Sequence, residues 1–188
     1  MTIATREDWL TDLTGLLRPR FEDAGHPLSE LRLSCGWPKP GGGGMRHQRL
    51  LGTTWFTGLD GHPQIFISPT LIDPLDVGTT LVHELVHTVV GSDAKHGRDF
   101  QIVAASVGLR KPWTESPAGP QLTQTLQQLT DALGRYPHAE LPEPTPRRSV
   151  PSVKLTCATC NYRVSIRPEF LELGKPFCPS GDPLEPPA

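Results

Sequence analysis

Residues 83–87 read His-Glu-Leu-Val-His, two imidazoles four positions apart with a carboxylate beside the first, the HExxH pattern by which a helix holds zinc. Four residues on a helix advance about 400°, so His83 and His87 stand about 40° apart on one face and can share one ion. Glu84 lies about 60° beyond His87, close enough to reach a water on that ion without being a ligand itself. Zinc held by neutral imidazoles lowers the pKa of such a water toward about 7 and polarises a carbonyl. A carboxylate so placed can take the water's proton and pass it to a leaving amine. The expected chemistry is metal-assisted hydrolysis of a peptide bond with Glu84 as the catalytic base.

A catalytic zinc takes three protein ligands and keeps a fourth position open. His96 is the nearest candidate for the third; Asp93 and Asp99 are its rivals, because carboxylates also bind zinc. The metzincin pattern would need Gly at 90 and His at 93, where this chain has Val90 and Asp93. A second cluster opens with Cys157-Ala-Thr-Cys160, a zinc-knuckle spacing in a cytoplasmic setting. Cys178 arrives where a ribbon needs its second half, but the partner position is Gly181, with Asp182 the nearest substitute. The spacing predicts a small β-ribbon and leaves its zinc open. Cys35 is expected as a buried strand residue.

The elements that must position these groups follow from local signals. Trp9, Leu10, Leu13, Leu16 and Leu17 recur at helical spacing, predicting an amphipathic helix over 5–24 with Thr5 as N-cap and a kink or end at Pro19. Strand-like runs follow at Leu31–Cys35, Leu50–Phe56 and Gln64–Ser68, separated by a Pro- and Gly-rich loop at 38–44 and a turn at Leu59-Asp60-Gly61. Asp73 and Pro74 open the helix that carries the histidines, which should run to Val90 and stop at Gly91. Val82, Leu85, Val86 and Val89 give it an apolar flank to seat in the core. Further helices are expected from near His96 to near Gly108 and over 121–133. The strand at 64–68, just upstream of the histidine helix, is the expected edge for an extended peptide. Tyr136 and His138 could reach an oxyanion, but helix-end packing is the preferred explanation of both.

Length and composition suit one core and one small satellite module. Five prolines between 137 and 151 mark a linker. Residues 147–188 carry six Lys and Arg against four acids, and 1–146 carry 12 against 16, so the tail is basic and the body acidic. Arg147, Arg148, Lys154, Arg163, Arg167 and Lys175 could line a phosphate-binding surface or form a solvated tail. Met1–Asp8 has no apolar run of the secretory kind, and no stretch reaches the length of a membrane span. The expected compartment is the cytoplasm, with no membrane partner.

His83-Glu84-Leu85-Val86-His87 followed by His96-Gly97-Arg98-Asp99-Phe100 resembles the SprT-like (Spartan-type) zinc metallopeptidases. Cys35-Gly36-Trp37-Pro38 and Ile65-Phe66-Ile67-Ser68-Pro69 are similar to SprT-like domains of the bacterial and phage type. The resemblance spans residues 30–182 and is concentrated at 81–100. It implies an α+β fold: a zincin-like metallopeptidase domain over 1–136, a Pro-rich linker over 137–152, and a degenerate zinc-ribbon-like β module over 153–188. It implies His96 as the third ligand to one catalytic Zn2+, a protein substrate, and a second zinc site at Cys157, Cys160 and Cys178 whose family pattern is broken at Gly181. Eukaryotic members act on proteins crosslinked to DNA, which makes DNA a candidate partner through the C-terminal module. Three other readings compete: a hydrolase of a non-protein amide, a nucleic-acid-binding module with a vestigial protease half, and a structural zinc protein. Against the last two stands Glu84, a base that a purely structural site would not need.

Overall fold

The computed structural model describes residues 3–37, 50–56, 58–142 and 151–186. The glycine run at 41–44 and the pair Arg147 and Arg148 lie outside these residues. The chain is a mixed α+β protein of two compact units, Met1–Pro144 and Thr145–Ala188.

The first unit begins with α1 (Arg6–Asp23), capped by the Thr5 side chain, which accepts from the Asp8 amide. The helix runs through Pro19 to Asp23 instead of ending there. Pro19 cannot bond to the Gly15 carbonyl, but both residues are exposed, so water can serve that carbonyl. Burial of Leu17 and Phe21 on either side holds the helix together.

Three strands form one sheet: β1 (Arg32–Cys35), β2 (Gly52–Trp55) and β3 (Gln64–Ile67), in the order β1-β3-β2. β1 runs parallel to β3 and β2 antiparallel to it. This corrects the expectation for residues 64–68. Among the described residues β3 is the central strand, with Ile65 and Ile67 fully buried, and β1 and β2 lie at the edges.

α2 (Pro74–Val90) opens as its sequence predicts. Asp73 accepts from the amides of Leu75 and Asp76, Pro74 occupies the first turn, and Gly91 ends the helix with a φ of 80° that favours glycine. A 3-10 turn (Ser92–Ala94) reverses the chain into α3 (Arg98–Ser106), and α4 (Pro120–Leu133) follows. One core joins these elements. Trp9, Leu13 and Phe21 of α1 meet Ile65 and Ile67 of β3, Leu81, Val82, Leu85 and Val86 of α2, Phe100 of α3, and Leu122 and Leu126 of α4.

Arg6 is buried and its guanidinium donates to the carbonyls of Pro137 (2.8 Å), Pro69 (3.0 Å) and Ala139 (3.0 Å). It also lies 4.7 Å from the Tyr136 ring centre, which packs edge-on against Trp9. Tyr136 therefore belongs to the helix-end packing, and it does not line the cleft described below.

The second unit pairs β4 (Val153–Thr156) with β5 (Arg163–Ile166) antiparallel, followed by a short helix α5 (Pro168–Leu171) that no sequence signal announced. Its buried centre consists of Leu155, Cys157, Cys178 and Leu184. Among the described residues no helix is long and apolar enough to cross a membrane.

Candidate metal centre and cleft

α2 presents His83 and His87 on one face because its opposite flank is anchored: Val82, Leu85 and Val86 are fully buried, and Val89 packs against the core. The reversal through Gly91 and the 3-10 turn carries His96 back over that face, just ahead of α3. Gln101 of α3 fixes it by donating to the His96 carbonyl at 3.0 Å. The Nε2 atoms of His87 and His96 each stand 3.2 Å from Nε2 of His83. These three nitrogens form a group able to hold a metal ion, whereas Asp93 and Asp99 are exposed and outside it.

Phe100 lies beneath all three imidazoles, with ring centres 5.0, 4.6 and 4.9 Å from His83, His87 and His96. Burial, and the nearness of His87 and His96, push the His83 imidazole down to about 3. Burial and His96 push His87 down to about 4, and burial lowers His96. At neutral pH each ring is therefore uncharged with a lone pair to offer, the form in which histidine binds metals.

Glu84 packs under β2 and lines the same cleft as the three histidines. Its Oε2 accepts a 2.7 Å hydrogen bond from the Thr54 hydroxyl, and Oε1 has no partner among the described residues. The approach of β2 to α2 is close enough to require glycine: a Cβ on Gly52 would lie 2.8 Å from Glu84 Cγ, from Glu84 Oε1 and from Thr80 Cγ2. Burial pushes the Glu84 carboxyl up to about 7, opposed by the Thr54 bond. A cation on the histidines would favour the charged carboxylate.

An open cleft of about 1010 Å³ runs over this centre. Gly52, Thr53 and Thr54 of β2 line one wall, Leu75 and Thr79 of α2 another, and the three histidines and Glu84 the floor. Sequence reasoning missed Thr54 and Gly52, whose roles depend on a strand packed across a helix and leave no mark in spacing.

Thr54 yields a test. Thr54→Val keeps the shape but removes the bond that favours the ionised carboxylate, so the Glu84 pKa should rise further. If activity requires ionised Glu84, the acid limb of its pH profile should move up by about one to two units, since a hydrogen bond to a charged group contributes about 1.5–3 kcal/mol. Activity near pH 7 should fall and be largely recovered at higher pH, with metal content unchanged. A uniform loss at every pH would show that Thr54 acts otherwise.

In the second unit the sulfur atoms of Cys157, Cys160 and Cys178 lie within 4.8 Å of one another. All four cysteines of the chain are free. Cys35 ends β1 half-buried and accepts from Arg6 at 3.3 Å, far from either cluster in sequence. Of the basic residues, Arg167 pairs with Glu169 and Lys175 with Glu185.

Comparison with protein-family models, with curated proteins and with solved structures finds no match to this chain.

Proposed function

We propose that this chain is a zinc-dependent endopeptidase of the SprT-like (Spartan-type) kind with a zincin-type fold in its first unit. One observation carries the reading: three neutral imidazoles converge beside a buried carboxylate that is not part of their group, under the edge of a strand. Zinc suits the spacing, since two nitrogens at 2.0–2.1 Å from a tetrahedral ion stand about 3.3 Å apart, against the observed 3.2 Å. Bound there, zinc supplies Lewis-acid activation of a water and of the scissile carbonyl.

The residues of the chain do the rest. Glu84 takes the proton of the attacking water at Oε1, the oxygen left free by Thr54, while the water oxygen bonds to the carbonyl carbon. As the carbon–nitrogen bond breaks, the same carboxyl returns that proton to the departing amine. β2, paired with β3 alone among the described residues, offers its outer edge to an extended peptide, whose main chain can add to the sheet. Backbone recognition of that kind favours unfolded or loosely structured protein over a fixed side-chain sequence.

The test is cleavage of an unfolded protein by the zinc-loaded full chain. Chelation should abolish it, and added zinc should restore it. Parallel reactions with single-stranded DNA examine whether DNA-associated proteins are the target; exposed Tyr162, Phe170 and Phe177 in the second unit are side chains on which bases could stack. No cleavage by protein with a full complement of zinc, at any pH from 5 to 9 (about the range in which Glu84 titrates), would leave the centre structural and sink the proposal.

A further inference from the structure

The exposed face of α2 has two flanks. Its Thr80 and Glu84 side chains lie against Gly52 of β2, while Gly78 faces Leu126 of α4. At about 100° per residue, Thr79 and Leu75 stand about 40° and 80° from His83 on the flank away from Glu84. Beyond them the far bank of the cleft is built by Pro117 and Ala118, from the loop between α3 and α4, and by Thr123 of α4. This bank is braced. Leu109 and Ala118 form an antiparallel bridge, the Arg110 amide donates to the Pro117 carbonyl at 2.9 Å, and the Gly119 amide donates to the Gly108 carbonyl at 2.8 Å.

A second cavity of about 650 Å³ adjoins the bank and shares Ala118 and Thr123 with the cleft. These two residues are the neck between the spaces. A methyl group and a short β-branched side chain leave the neck narrow in charge but open to an alkyl stem. Beyond it stand Arg110, Gln124 and Gln128. The Arg110 side chain crosses the loop one residue past the neck, where a Cβ on Gly119 would lie 2.8 Å from its Nε. Arg110 is exposed and has no acidic partner among the described residues.

An extended peptide added to β2 turns alternate side chains to opposite faces of the sheet, so one set points into the cleft over α2. We propose that a substrate side chain beside the scissile bond passes between Ala118 and Thr123 and is read by Arg110, so that a long side chain ending in a carboxylate is preferred over one ending in a cation. The methylenes of a glutamate suit the uncharged neck, and its carboxylate matches the guanidinium fork. A lysine at the same place brings a like charge to Arg110 and is rejected. The inference rests on the peptidase reading and adds to it a substrate class.

The test maps, by mass spectrometry, the cuts made in an unfolded protein by the zinc-loaded full chain. Wild type should favour Glu over Lys by about tenfold at one position flanking the cut, since an ion pair gained and a like-charge contact avoided each contribute a few-fold at an exposed site. Arg110→Glu should reverse that preference. Arg135→Glu makes the same charge change at an exposed residue that lines neither cavity and should keep it. Ala118→Leu fills the neck and should move the cuts toward Ala and Ser at that position. Cleavage by wild type without a charge preference, or a preference unchanged in Arg110→Glu, overturns the inference and leaves the peptidase reading standing. No cleavage by any of the proteins overturns that reading and the side-chain preference together.

Discussion

Glu84→Gln should keep a full complement of metal and its fold, while cleaving protein about 10²–10⁴-fold more slowly. The geometry separates the two properties. The metal group consists of three histidine nitrogens and does not include the Glu84 carboxylate, so amidation removes no ligand. Glutamine has the same shape, and its oxygen can still accept from Thr54 at the position of Oε2. What it loses is a basic oxygen able to take a proton. The variant should also be at least as stable as wild type, because a neutral amide carries less desolvation cost than a buried carboxylate. Metal analysis, thermal melting and single-turnover cleavage measured together decide the matter. Loss of metal would make Glu84 part of the coordination, and wild-type turnover would remove it from the chemistry.

His96→Ala should lose both metal and activity. His96 enters from a different element than His83 and His87, so its removal leaves two ligands four residues apart on one helix. Losing a ligand should weaken metal binding by at least the roughly 10–100-fold typical of an outer-shell partner, and cleavage should drop below detection at limiting zinc. Asp93→Ala and Asp99→Ala serve as controls and should keep metal, since both carboxylates are exposed and outside the group. A His96→Ala protein that binds metal like wild type would transfer the third position to another residue.

The parts of the fold that could be read in advance are those written at short range. His83 and His87 needed only helical periodicity, and α2 announced its own start with Asp73-Pro74 and its stop with Gly91. Local rules misled where packing outweighed them. Pro19 is expected to kink or end α1, yet the helix does not end there and runs on to Asp23 with Leu17 and Phe21 buried on either side. Arg6, charged and near a helix start, looks like a surface residue; it is buried because carbonyls from two separate loops converge on it. Strand order was hidden for a related reason. Which of three short strands lies at the edge depends on pairings between residues distant in sequence, so 64–68 is expected as an edge and among the described residues is the central strand. The cysteine spacing foretold a small β module, and β4 pairs with β5 on either side of Cys157 and Cys160.

Phe100 bears on how the histidine group would take up an ion. By filling the space beneath three imidazoles it restricts their rotamers, and as part of the main core it does so whether or not an ion is bound. The ordering entropy of the histidines is thus met when the chain folds, and ion capture becomes a docking event on a rigid surface. An ion held by the histidines would then exchange without disturbing its scaffold.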